Sequence, residues 1–470
     1  MASARRKVAT AGLVLVLAAG AYVTLDAHDL APGPLTLAAP VADPSPFPTA
    51  PGATSGGAAT PALTDLDAAA PLPQTSTVQA AVDALLTDSR IGTSVGVTVV
   101  DQLTGEVLGS AQPDSAHQPA STAKLVTAVG ALATLDPMST LSTRTVREGD
   151  LVVLVGGGDV MLGDGAGDPT VVDGRAGLGD LAAQTADALA LAGITTIRLG
   201  FDDSMFTGAT VSPGWDPSYV SSGFVAPVTA LAVHIGKLDA SQEYGRRYAD
   251  PSLAAAKVFA QRLAERGITV IGTPSRTTAP GGALPTGEVT SAPLKDIVGY
   301  FLDTSDNTVT EAVSRLVALD QGLPASFDGG TAAVLHAVGT LGVDTTGAHL
   351  TDASGLASGS ALPASLLAGI VRATTSADHP ALRSVVAGLP IAGLTGTLFD
   401  RYTASDARGL VRAKTGSLPN VTSLAGTLVD ADGRALVFAV LADATPEGGQ
   451  DQPRRAIDAF VTGLAGCGCR

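Results

Sequence analysis

"PASTAKLVTA", residues 119–128, places Ser121 one helical turn ahead of Lys124. Side chains three apart on a helix share a face, so this hydroxyl and this amine can meet. Leu125, Val126, Val129 and Leu132 then recur at helical spacing. The stretch therefore predicts a buried helix with Ser121 at its N-terminus and Lys124 on the same face. Lysine is scarce here: of 28 basic residues only Lys7, Lys124, Lys237, Lys257, Lys295 and Lys414 are lysine. Arginine keeps its proton in a protein, whereas a buried lysine can turn neutral and act as a base.

Upstream, "STVQAAVDALLTD" spaces Val78, Val82, Leu85 and Leu86 as a helix face, and "TSVGVTVVDQLTGEVLGS" reads as two strands around a turn. Downstream, from about 145 to 290, strand-like runs ("DLVVLVGGGDVML", "TTIRLGF", "ITVIG") alternate with helix-like ones ("LGDLAAQTADALALAG", "PSLAAAKVFAQRLAERG"). That alternation predicts a separate α/β insert over 146–289. The segment from Pro293 is helical with a break near Thr304–Asn307. "VTSLAGTLVDADGRALVFAVLAD" forms two apolar strands around Asp432-Gly433, and a helix runs from about Arg454 to Leu464. Residues 75–145 and 290–470 thus predict an α/β (α+β) body, an antiparallel sheet covered by helices.

With 470 residues, 45% hydrophobic and 15% charged, the chain can build two or three domains and a large core. A net charge of −16 argues against nucleic acid or an anionic membrane surface as partner. Arg5, Arg6 and Lys7 precede an apolar run from Val8 to Leu25, which reads as a signal or membrane anchor over 1–25. Its length leaves cleaved and uncleaved forms open. Residues 26–74, rich in Pro, Ala, Gly and Thr, read as a disordered tether. The expected location is extracytoplasmic, in the cell envelope. Cys467 and Cys469, one residue apart, make a poor disulfide framework and offer too few metal ligands.

Three short strings carry chemistry. S-x-x-K occurs once, at Ser121 and Lys124, and K-T-G once, at Lys414, Thr415 and Gly416. One of the chain's two asparagines, Asn307, completes S-x-N with Ser305, the other being Asn420. Rare residues in these slots, in this order, form a specific pattern. Here the chain resembles the penicillin-recognising serine acyl-transferases, and among them the class C low-molecular-mass penicillin-binding proteins, the D-Ala-D-Ala carboxypeptidase/endopeptidase family. The long insert between Ser121 and Ser305 supports this. So do "GGGDVML" (156–162), "DDSMF" (202–206), "GW" with "APVTALAV" (214–233), "DASGL" (352–356), "GTLFDRY" (396–402) and "VRAKTGSL" (411–418). Two small departures are Ala353, where the family often has glycine, and "LPNV" after the third motif.

Acyl transfer sets the roles. A serine needs a base, and Lys124 can serve if burial and the second cation Lys414 lower its pKa from ~10.4 towards ~7 to 8. Ser305 can pass a proton to the leaving amine. Asn307 can hold Lys124 with its carbonyl end and a substrate amide with its amide end. Lys414, Thr415 and Ser417, with Gly416 between them, suit a terminal carboxylate. The resemblance implies an oxyanion hole at the N–H groups of Ser121 and Ser417, peptidoglycan stem peptides as substrate, and β-lactams as covalent inhibitors. No cofactor or metal is called for. The alternatives are a β-lactamase, for which the only glutamate between Asn307 and Lys414, Glu311, stands too near the motif, and a non-catalytic envelope-binding protein on the same fold.

Several decoys read as structural. "GTSVG" at 92–96 places Ser94 before a strand rather than on a strand-to-helix elbow. His28, His117, His234, His336, His349 and His379 lack metal spacing, and His117 reads as a loop residue. "GGGD" reads as a turn, and Trp215 as packing.

Overall fold

The structure is a computed structural model that describes residues 19–28, 30, 35, 37 and 68–468. Two compact units divide the chain, Met1–Asp65 and Leu66–Arg470. In the first, residues 19–27 are helical. Most of the predicted signal or anchor and of the tether lies outside the described residues. Among the described residues no helix is long and apolar enough to cross a membrane. The end of the predicted tether is structured: Arg434 donates to the carbonyls of Ala68 and Ala70 while pairing with the buried Asp101 carboxylate. A buried guanidinium needs acceptors, and this backbone supplies two of them. Cys467 is disulfide-bonded, and Cys469 lies outside the described residues.

In the second unit, helix α1 (Thr75–Thr87) leads to a hairpin of β1 (Val95–Asp101) and β2 (Val107–Ala111). Helix α2 (Lys124–Thr134) follows. Strands β3 (Ser142–Glu148) and β4 (Leu151–Val155) open a second sheet. Helix α3 (Leu178–Leu191) crosses from there to β5 (Thr196–Asp202), and helix α4 (Pro251–Glu265) and strand β6 (Leu284–Thr290) complete that region. Helices α5 (Leu294–Thr304), α6 (Asn307–Asp320), α7 (Phe327–Thr340) and α8 (Ala364–Thr375) form a helical stretch. Strands β7 (Val411–Leu418), β8 (Val421–Val429) and β9 (Ala435–Ala442) and helix α9 (Asp451–Ala465) close the chain.

The main sheet runs β7-β8-β9-β1-β2, every neighbour antiparallel. Gly433, at φ 85°, makes the β8–β9 turn that a residue with a Cβ would strain. The unbroken apolar run of β9 follows from burial on both faces. Val437, Ala439 and Leu441 join a core with α2, α6, α7 and α8, while Leu436, Phe438 and Val440 join the core of α1 and α9. The second sheet holds β5-β4-β3-β6, with β4 and β5 parallel around α3 as a βαβ crossover. Its own core packs Leu154, Leu199 and Phe201 against Leu181 of α3 and Phe259 of α4. The sheet begins at Ser142 and ends at Thr290.

Candidate active site

Ser121 lies in a short 3-10 turn, Ala120–Ala123, that runs directly into α2. The preceding Ala120 has φ 47°, a left-handed conformation that costs an alanine about 1 kcal/mol. The turn is tied to strand β8, where Ser423 Oγ donates to the Pro119 carbonyl at 2.6 Å. From the first turn of α2, Lys124 reaches back, fully buried. Its Nζ lies 2.9 Å from Ser121 Oγ, 2.7 Å from Asn307 Oδ1 and 2.9 Å from the Ser354 carbonyl oxygen. Burial pushes this amine down from 10.5 to about 8, against the charges of Asp352, Glu311 and Asp306, which favour the ammonium.

Ser305 occupies the predicted break between α5 and α6. It is left-handed (φ 61°, ψ 30°), and the next residue, Asp306, caps α6 by accepting from Val309 N at 2.8 Å. That joint turns Ser305 towards Lys414, whose Nζ donates to Ser305 Oγ at 3.0 Å and to the Thr415 carbonyl at 3.1 Å. Lys414 is fully buried on β7. Burial, and then the charge of Lys124, hold its amine well below the usual lysine range, with Asp303 opposing. Thr415 Oγ donates to Thr397 Oγ at 2.8 Å, and Arg454 donates to Ser417 Oγ at 3.0 Å. Gly416 has no room for a side chain: a Cβ there would clash with Ser423 Oγ and lie 2.6 Å from the Pro119 carbonyl oxygen and 3.1 Å from Ser121 N.

The structure thus places two hydrogen-bonded sets, Ser121–Lys124–Asn307 and Ser305–Lys414, close enough that the charge of Lys124 acts on Lys414, beside Thr415, Gly416 and Ser417. One detail differs from expectation. The amide end of Asn307, expected to face a substrate, donates to the Phe224 carbonyl at 2.9 Å. Phe224 belongs to the segment between the motifs, where it packs edge-to-face on Tyr219 and Tyr244.

Three supporting roles were not read from the sequence. Glu311, buried on α6, accepts from the N–H of Ala353 (3.2 Å) and of Ser354 (2.8 Å). It thereby holds the loop whose carbonyl takes a Lys124 hydrogen. Burial and the neighbouring Asp352 push its carboxyl up to about 8. Asp352 accepts from Trp215 Nε1 at 2.6 Å and from the N–H groups of Gly355 and Ala357, so Trp215 is a buried fastening for this loop. The third is Asp443. His117 proves to be a buried strand residue, because Asp443 at the end of β9 receives it: Nδ1 lies 3.1 Å from Asp443 Oδ1. The same carboxylate accepts from Ser94 Oγ (2.5 Å) and Gln118 N (3.0 Å). Ser94 and Asp443 both approach the same ring nitrogen, Nδ1, whereas a triad needs them on opposite nitrogens. The group is a clasp four residues before Ser121.

Burial raises the Asp443 carboxyl, but the bonds from His117, Ser94 and Gln118 outweigh it and hold it near 2 rather than 3.8. That difference is roughly 2 kcal/mol of stability, present above pH ~4 and lost as the pH falls through about 2. Asp443→Asn is expected to lose about that much in urea denaturation at pH 7, and the gap to the parent should narrow between pH ~4 and ~2. A gap independent of pH would show that the charge is not what stabilises the clasp.

Residues 78–244 and 237–464 match the D-Ala-D-Ala carboxypeptidase 3 (S13) family. This chain belongs to that family. A carboxypeptidase of Mycobacterium tuberculosis is 37% identical to this S13 protein over 409 residues, covering 84% of this chain and 85% of the relative. The carboxypeptidase DacB of Mycolicibacterium smegmatis is 37% identical over 420 residues, covering 87% and 88%. Penicillin binding protein 4 (dacB) from Haemophilus influenzae superposes with a TM-score of 0.69 at 21% identity, over 81% of this chain and 98% of that one. At that identity the match shows the shared fold: an antiparallel sheet covered by helices, of the penicillin-binding type.

Proposed function

We propose that this S13 protein is a serine DD-peptidase that removes the terminal D-Ala from peptidoglycan stem peptides through an acyl-enzyme on Ser121. The observation that carries the reading is the 2.9 Å contact between the buried Lys124 Nζ and Ser121 Oγ, with the buried Lys414 bonded to Ser305 beside it. A neutral Lys124 takes the Ser121 proton as Oγ attacks the scissile carbonyl carbon. The C–N bond then breaks, and the leaving amine takes a proton through Ser305. Water afterwards cleaves the Ser121 ester.

Both lysines are held below their usual range, by burial first. An arriving substrate carboxylate resolves which one stays charged. It favours the Lys414 ammonium, and that cation in turn disfavours a charge on Lys124. The base is thereby readied when substrate is present. We further read 75–145 and 290–470 as the peptidase body and 146–289 as an inserted α/β domain that sets whether cross-links as well as free ends reach Ser121. The N-terminal apolar segment would deliver the protein to the envelope as a signal or anchor.

Incubation with penicillin, followed by mass spectrometry of the intact protein and of its peptides, tests the assignment. A stoichiometric, long-lived penicilloyl group on Ser121, with D-Ala released from a pentapeptide, is the expected result. Rapid catalytic hydrolysis of penicillin would make the protein a β-lactamase. Neither adduct nor D-Ala would leave a non-catalytic envelope-binding protein.

A further inference from the structure

Arg454 stands at the wrong end of a helix. It lies four residues into α9 (Asp451–Ala465), where the positive N-terminal end disfavours a cation. Its neighbour Arg455 is paired with Asp451 at 3.0 Å, and Arg401 with Asp458. Among the described residues no carboxylate lies within ion-pair distance of Arg454. Among the same residues its side chain makes one hydrogen bond, from Nη2 to Ser417 Oγ at 3.0 Å. The helix start is held there by Gln450, which donates to the Leu418 carbonyl at 2.6 Å. An unpaired guanidinium is thus fixed at the end of β7, in a chain of net charge −16.

A guanidinium has five N–H donors, and here one is used. By donating to Ser417 Oγ it occupies a lone pair of that hydroxyl and leaves its hydrogen free to point at another acceptor. Two donors therefore converge on the Thr415-Gly416-Ser417 edge, and a planar anion of carboxylate shape would complete them. We propose that Arg454 is a specificity-determining residue that, together with the Ser417 hydroxyl, binds the carboxylate on the leaving-group side of the scissile bond. This rests on the DD-peptidase reading and assigns within it the group that distinguishes a free acid from a neutral end.

Two Nα-acylated tripeptides ending in D-Ala-D-Ala test this, one with a free C-terminal carboxylate and one with a carboxamide. A charge-assisted fork is worth ~10- to 100-fold. Arg454→Ala is expected to lose that much kcat/KM on the acid and far less on the amide, so the acid-to-amide ratio falls. Arg454→Lys, which keeps the charge without the fork, recovers part of the ratio. Arg455→Ala is the neighbouring control and leaves both rates as in the parent. Equal losses on acid and amide, or no loss on the acid, would overturn the assignment while leaving the peptidase reading intact. If the parent cleaved neither peptide and took up no penicillin, the peptidase reading would fall first and this assignment with it.

Discussion

Lys124→Arg should fold as the parent does yet acylate with penicillin about 100- to 10,000-fold more slowly, the range in which a general base contributes. The substitution keeps a cation and donors for Asn307 Oδ1 and the Ser354 carbonyl, both now held by Lys124 Nζ. What it removes is the ability to be neutral, since a guanidinium does not release its proton. Lysine at this site sits near 8 because burial disfavours its charge. The neutral fraction, and with it the acylation rate, should therefore rise with pH through about 8 in the parent. In Lys124→Arg that limb should vanish. Stopped-flow acylation across pH 6–10, with thermal melts to verify folding, measures both. A guanidinium is also larger than an ammonium, so Lys124→Ala provides a second, smaller test, expected to be as slow as the arginine variant. Rates like the parent's in a folded arginine variant would exclude Lys124 as proton acceptor.

Gly416→Ala is expected to be nearly as damaging, although it adds one methyl group and touches no titratable side chain. The new carbon would collide with Ser423 Oγ and lie 2.6 Å from the Pro119 carbonyl oxygen and 3.1 Å from Ser121 N. Two of those three atoms belong to backbone, and Ser423 Oγ is itself bonded to Pro119, so no rotamer change relieves the contact. Strand β7 must move off the Ser121 turn. A shift of about 1 Å at a reacting group costs on the order of 100-fold. The expected result is a ~100-fold or larger fall in acylation with only a modest change in Tm. Unchanged acylation would mean that β7 and the Ser121 turn are not the rigid pair described.

Much of this was legible in the sequence because acyl transfer demands unusual residues. Lysine where arginine is the chain's habit, and one of two asparagines, mark Lys124, Lys414 and Asn307. The α2 helix and the β8–β9 hairpin were readable because period and turn chemistry are local. Ser305 was legible as a residue but not as a left-handed one, since helix propensity says nothing of the joint that Asp306 caps. The Asn307–Phe224, Glu311–Ser354 and His117–Asp443 contacts were hidden for another reason. Each joins positions 43 to 326 residues apart, and a single buried carboxylate leaves no periodic trace. Glu311 did carry a signal: an acidic residue within the otherwise apolar or hydroxyl-bearing run Thr308–Ser314 must find partners once buried.

The register of β1 against β9 has a consequence for biogenesis. Val95 pairs with Ala442 and Asp101 with Leu436, so the first strand made waits for the last. Its edge towards β2 pairs at once, but its edge towards β9 stays unmatched while more than two thirds of the chain emerges, and the loop to be closed is long. The region around β4, α3 and β5 has no such delay, because its partners follow within a short span. Maturation should therefore run from the middle outward, with the main sheet locking only when the final hairpin docks. A nascent chain at that stage exposes an open strand edge and needs protection from its neighbours.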